Sequence, residues 1–218
     1  GTLTVTDNRD EVIVTAASAR KLYDGRELTD PTVTVTGLPE GFTVEARGIG
    51  SQTDVGSSDN VVDSRYVIRD AAGGDKTANF TNVQKVAGTL TVNPAPVTIT
   101  TGSDSKAYDG TALTKNEYTV AGIVEGETYG FEVTGTQTEV GSSDNTFTYS
   151  LNDGTKASNY DITTTEGTLT VTPVTDKVTV TITENSGSEK YDGIEKSVTG
   201  YTVSIDNELY TEEDFTFS

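Results

Sequence analysis

Valine, isoleucine and threonine alternate along much of this chain. In "KVTVTITE" at 177–184, Val178, Val180 and Ile182 fall on one side and Thr179, Thr181 and Thr183 on the other. "TLTVT" at 168–172 and "TVTVTG" at 32–37 alternate in the same way. A period of two in β-branched residues marks a half-buried strand. Clusters of Gly, Asn, Asp and Ser at 56–60, 152–154 and 71–75 read as turns between such strands. No stretch of helical length carries an apolar stripe. The pattern predicts an all-β chain with at most a short turn of helix.

The alternation is itself repeated. "GTLTVT" at 1–6 returns as "GTLTVN" at 88–93 and "GTLTVT" at 167–172. "VGSSDN" stands at 55–60 and 140–145, and "KTANF" at 76–80 matches "KASNY" at 156–160. Tyr23, Asp24 and Gly25 recur as Tyr108, Asp109 and Gly110, then as Tyr191, Asp192 and Gly193. The order is constant and the spacing is roughly 80–85 residues, too long for a solenoid unit and suited to a small domain. The expected organisation is the last strand of a preceding module at 1–9, complete modules at 10–94 and 95–174, and the first part of a third at 175–218. Each complete module should hold about six or seven strands. The third lacks a closing "GTLTV" strand, and residues 1–6 are an unattached copy of one. An open edge on the third module is therefore expected to pair with a neighbouring molecule.

The junctions suggest how modules are joined. "GTLTVNPAPVTIT" passes from one module to the next through Asn93-Pro94-Ala95-Pro96, and Pro173 marks the second passage. Proline ends strand pairing while keeping the backbone extended. A short linker of this kind resists bending, so the modules should string into an elongated rod. The junction at Asp7-Asn8-Arg9-Asp10 lacks proline and should be looser.

Composition narrows the function classes. Among 218 residues, 15 Lys plus Arg face 34 Asp plus Glu, a net charge of −19. Such a chain repels phosphate backbones and anionic lipid, which argues against nucleic acid or a membrane surface as partner. No apolar run approaches the roughly 18 residues of a membrane-spanning helix. Without Cys or His, disulfides, thiolate nucleophiles, imidazole bases and the usual zinc ligands are excluded. The chain opens on Gly1 within a strand pattern, so it reads as a fragment whose export or anchoring signal lies elsewhere.

Taken together, the repeated Lys-x-Tyr-Asp-Gly, the Val-Gly-Ser step, the Asn-aromatic step and the closing Gly-Thr-Leu-Thr-Val-Thr-Pro resemble a known repeat family. They are similar to the MBG/YDG-type modules carried in long arrays by large bacterial surface proteins and adhesin-like proteins. The resemblance covers essentially the whole chain. It implies an extracellular protein attached to a bacterial cell, built of tandem small β-sandwich or β-grasp-like modules. The third copy departs from the motif, with Glu189-Lys190-Tyr191 where the others have Lys-x-Tyr.

The Tyr-Asp-Gly motif has two readings. Asp-Gly favours tight turns, and the preceding Tyr would cover a core edge with its ring. Alternatively, an aromatic and a carboxylate grip sugar hydroxyls. Its recurrence in every module favours the turn. Lys21 with Asn79, and Lys106 with Asn159, could form intramolecular isopeptide bonds, with Asp24 or Asp109 as the nearby acid. The third copy, whose Lys190 shifts to the other face, argues against a required cross-link. Acidic clusters offer calcium ligands, as at Asp7, Asp10 and Glu11, but none has the spacing of a calcium-binding loop. No other cofactor is expected, and no carboxylate pair stands out as catalytic.

The leading expectation is a non-catalytic stalk that projects a distal domain from a cell or contributes to adhesion. Two alternatives remain. Each module could bind host or dietary glycan, mucin or a surface protein through multivalency, or the chain could be a spacer in a secreted polysaccharide-degrading enzyme. The ten Tyr and six Phe lie mostly inside strand-like runs, and there is no Trp, which favours the stalk.

Overall fold

Alternating burial of Val12, Val14 and Ala16 makes β1 (Val12–Ala16) the centre of the first sheet. The computed structural model describes residues 1–216 and is mainly β. The first repeat continues through β2 (Ala19–Leu22), β3 (Val33–Thr36), β4 (Thr43–Glu45), β5 (Gly56–Asn60), β6 (Val67–Arg69), β7 (Val83–Val86) and β8 (Gly88–Asn93). β1 pairs antiparallel with β3 and parallel with β7. A second sheet has β8 at its centre, parallel to β2 and antiparallel to β5. β4 and β6 form a separate antiparallel pair. Val12, Val14, Ala16, Val62, Ile68 and Phe80 make the core, with Phe42 edge-on to Phe80 at 5.4 Å.

The second repeat rebuilds the same pairings. Its strands are β9 (Ala95–Thr101), β10 (Asp104–Ala107), β11 (Tyr118–Ala121), β12 (Tyr129–Val133), β13 (Gly141–Asn145), β14 (Phe147–Leu151), β15 (Tyr160–Thr165) and β16 (Gly167–Thr172). The sheet orders are β11-β9-β15 and β10-β16-β13, with β12 paired to β14. Single 3-10 turns, Thr77–Asn79 and Ala157–Asn159, occupy matching places before β7 and at the start of β15. The third repeat contributes one antiparallel pair, β17 (Val180–Glu184) with β18 (Tyr201–Ile205).

Several expectations change. Among the described residues each of the first two repeats holds eight strands rather than six or seven. The extra strand is the polar Gly-Ser-Ser-Asp-Asn run, read from sequence as a turn. It forms β5 and β13 because β8 and β16 each present a free ladder edge to it. Ser57 and Ser142 bond the Thr91 and Thr170 hydroxyls across the ladder. The run ends in a buried Asn that clasps the core backbone. Asn60 donates to the carbonyls of Ala17 and Asp30, and Asn145 to those of Gly102 and Lys115. The two proline passages also differ. A single residue, Pro94, separates β8 from β9, whereas Pro173 opens a stretch without strand that lasts until β17. The proline-free residue Asn8 is tied down, with its N–H on the Asn79 carbonyl at 2.8 Å.

The chain forms two compact units. One comprises residues 1–100, 119–132 and 149–165, and the other 101–118, 133–148 and 166 onward. Most of the β9 sheet therefore belongs to the first unit and the β16 sheet to the second.

Candidate functional site

Each Tyr-Asp-Gly motif forms the same turn. Asp24 Oδ1 accepts the Arg26 N–H at 2.9 Å, Asp109 Oδ1 that of Thr111 at 2.9 Å, and Asp192 Oδ1 that of Ile194 at 3.0 Å. The following Gly25, Gly110 and Gly193 have φ of 73°, 75° and 81°, the left-handed region that glycine enters without steric cost. Lysine completes the turn. Lys21 Nζ donates to Asp24 Oδ1 and the Arg26 carbonyl, both at 2.5 Å, and Lys106 Nζ to Asp109 Oδ1 at 2.6 Å and the Thr111 carbonyl at 2.7 Å. In the third copy the lysine comes from the other side of the turn, with Lys196 Nζ 2.8 Å from Asp192 Oδ2. The motif's shifted Lys190 is thus replaced in this role. These contacts hold all three aspartates below the usual carboxylate range. Lysine is the largest cause in each, and Asp109 falls to about 2.

Neither lysine proposed for an isopeptide bond has its amine hydrogen-bonded to the proposed asparagine. The Lys21 and Lys106 amines are held inside their own turns. Asn79 is exposed. The Asn159 amide is buried at 1% exposure, with Oδ1 accepting the Val55 N–H and Nδ2 donating to Asp54 Oδ1, both at 2.9 Å. No group of three or more carboxylates able to hold a metal ion occurs among the described residues. The Asn8 side chain accepts the Asp10 N–H at 2.7 Å, a local turn.

Within the first unit, the turn of the first repeat meets the second. Tyr23 and Tyr160 are 8% and 7% exposed, with rings 5.6 Å apart at 86°. Their hydroxyls donate to opposite oxygens of one carboxylate, Tyr23 to Glu127 Oε1 at 2.5 Å and Tyr160 to Oε2 at 2.6 Å. The Tyr160 oxygen also accepts the Val124 N–H at 3.1 Å. The phenols consequently hold their protons more tightly. For Tyr23 the bond to Glu127 dominates and burial follows, whereas burial dominates for Tyr160, which is pushed up to about 12. A Cβ added at Gly25 would lie 3.1 Å from Val124 Cγ1, so the glycine admits the neighbouring loop closely.

A second clasp lies beside these rings. Lys156 Nζ reaches Asp54 Oδ2 at 2.5 Å, and Asn159 holds Asp54 and Val55 as described. Together these groups join residues about a hundred positions apart through a core of paired rings and a rim of amide and ion-pair contacts. These contacts tie the two repeats together within the first unit.

Sequence reading picked out Tyr23, Asn159 and the Asn-Tyr step, but missed Glu127 and Asp54. Glu127 lies in "VEGET", which aligns with "PEGFT" of the first repeat except that Phe42 stands in the place of Glu127, so self-comparison passes over it. Asp54 is visible only as the acidic residue before Val-Gly-Ser, matched by Glu139 in the second copy.

In the second unit Tyr108 packs on Leu113, Leu169 and Val171. It also lines a recess of about 280 Å³ with Val140, Pro173, Val174, Leu209 and Tyr210. Gly110 stands where a Cβ would meet Leu209 Cδ2 at 3.2 Å, as Gly25 meets Val124. No family model matches the chain, and no curated protein matches its sequence.

Proposed function

We propose that this chain is a repeat region of the MBG/YDG type from a bacterial cell-surface protein. It would be a non-catalytic stalk of tandem small β-sandwich modules that projects a distal domain or contributes to adhesion. The observation that carries this reading is the use of the Tyr-Asp-Gly motif. In the first copy its Asp closes a turn, its Gly admits a neighbouring loop, and its Tyr ring is buried against Tyr160 and Glu127. A motif spent on a joint leaves little of itself for a ligand. A joint of buried rings and shared carboxylate favours an extended, bend-resistant string of modules over a flexible tether. The acidic, Thr-rich surface suits a protein that must stay soluble outside a cell.

Two measurements on the intact chain test the reading. Small-angle scattering should give the long, thin distance distribution of a rod, and an array of glycans and mucins should show no saturable binding. A compact distance distribution contradicts the stalk. Saturable binding that is lost with Tyr191→Ala, whose motif tyrosine is exposed, replaces the stalk with a glycan-binding module.

A further inference from the structure

The first repeat interrupts a strand pair that the second runs through. In the second repeat, residues 129–133 and 147–151 are the paired strands β12 and β14. Aligning Asn60 with Asn145 matches them to residues 44–48 and 62–66. There Glu45 pairs with Val67 and Gly48 with Val62, which leaves residues 46 and 47 opposite residues 63–66. The surplus residues form a bulge, a device that re-aims side chains.

The bulge turns Asp63 inward, to 5% exposure, between two arginines. Asp63 Oδ1 accepts the Arg65 N–H at 3.0 Å, and Oδ2 accepts the Arg47 Nε–H at 3.1 Å. Arg65 Nε lies 3.8 Å from Oδ1. The Arg65 N–H, followed by Arg47, holds Asp63 below the usual carboxylate range, so it stays charged. One carboxylate thus serves two guanidinium groups, whose side chains are 61% and 85% exposed. Among the described residues no hydrogen bond occupies the Nη atoms of either. Glu45 is already taken by Arg69, which reaches its two oxygens at 2.7 and 2.9 Å. A cationic excess therefore stands at the bulge of a chain whose net charge is −19.

The arginines are not a requirement of the fold. Their places in the second repeat are held by Glu132 and Ser150, and that of Asp63 by Thr148. All six arginines of the chain fall between Arg9 and Arg69. Arg47, Asp63 and Arg65 line a recess of about 360 Å³ with Glu45 and Ala46. Arg47 also borders a second recess of about 400 Å³, beside Glu27, Pro31 and the half-exposed Ile49.

We propose that the bulge at Arg47 and Arg65 binds a side-chain carboxylate of a protein partner, presented in a peptide segment whose neighbouring residues are apolar. The Nη groups suit a planar carboxylate, which guanidinium binds through two parallel bonds. Asp63 orients both arginines through the Arg47 Nε and the Arg65 backbone while leaving those groups free. Ile49 and Pro31 accept an apolar neighbour, and Glu27 repels a second carboxylate at that end. A sugar acid offers hydroxyls where these two side chains offer no partner. Because both arginines are exposed, the binding is weak and salt screens it. Such a site is compatible with a stalk and does not depend on one.

The test follows the side-chain Nε–Hε resonances of the intact chain during titration with the blocked peptide acetyl-Val-Glu-Val-amide. Its Gln counterpart and sodium polygalacturonate are the comparisons. The expected result is a saturable shift of the Arg47 and Arg65 signals, with a dissociation constant on the order of 1 mM at about 0.05 M salt. At about 0.5 M salt it should weaken at least ~3-fold. Arg65→Gln, which keeps the backbone bond to Asp63, should weaken it at least ~5-fold. Arg47→Lys, which keeps a cation beside Asp63 but loses the fork, should do the same. Arg20→Gln should change nothing. No saturable shift, equal shifts with the Gln peptide, or affinity unchanged in both site variants overturns the proposal. Tighter binding of polygalacturonate at the same two signals also overturns it and assigns the site to an acidic glycan.

Discussion

Tyr23 and Tyr160, which lie in different repeats, donate their hydroxyls to the two oxygens of Glu127 while their rings meet edge to face at 5.6 Å. The relationship makes the first copy of the motif a joint, and its chemistry has measurable consequences.

Removing the shared acceptor should loosen the joint. Glu127→Ala leaves the buried Tyr23 hydroxyl without its partner and deprives Tyr160 of its acceptor. The expected loss is about 1–3 kcal/mol, the usual cost of stranding buried polar groups. Glu127→Gln keeps one oxygen acceptor and should lose less. Urea melts followed by tyrosine fluorescence give both values, and equal losses would contradict the double acceptance.

The phenols should titrate late. Tyr160 ionises near about 12 and Tyr23 above its ordinary 10.0. Because their folded values are raised, the neutral forms stabilise the fold fully below pH 10. That contribution disappears as pH rises through about 12. Absorbance at the tyrosinate band should show a late phase that Tyr160→Phe and Tyr23→Phe each diminish. Unchanged late phases in both variants would assign the shift elsewhere.

The second motif turn should weaken in acid. Asp109 is lowered from 3.8 to about 2, first by Lys106 and then by Thr111. A lowered carboxylate contributes stability that is present above 3.8 and vanishes as pH falls through about 2. Carboxyl carbon resonances should report that midpoint, and Lys106→Met should move it upward. A midpoint unaffected by Lys106→Met would show that the turn's backbone donors suffice.

Gly25 and Gly73 separate backbone strain from joint packing. Both have left-handed φ, 73° and 82°, but only a Cβ at Gly25 meets a neighbour, Val124. Alanine at either position should cost about 1–2 kcal/mol through strain. Gly25→Ala should cost more, and it should disturb Val124 and Tyr160 resonances. Equal losses with no change at Val124 would remove Gly25 from the joint.

The strands Gly167–Thr172 and Val180–Glu184 were legible because Val, Ile and Thr alternate there, although Val178 and Thr179 of the same alternating run lie outside the strand, and self-similarity exposed the repeats. The Gly-Ser-Ser-Asp-Asn run was not legible as a strand. Its polar residues pair with β8 or β16, and that partner is distant in sequence. The turn around Asp24 could be read from Asp-Gly, but not the burial of Tyr23. That depends on Glu127, whose place is taken by Phe42 in the first repeat, and on Tyr160, whose counterpart Phe80 lacks a hydroxyl. Local patterns reveal elements; contacts spanning a hundred residues decide what the motif does.

The most direct test of the joint is a set of residual dipolar couplings from the first unit, comparing β1, β3 and β7 with β9, β11 and β15. In the unaltered chain one alignment tensor should fit both groups, and a Tyr23→Ala, Glu127→Ala double variant should need two. Two tensors of different magnitude in the unaltered chain would contradict the account.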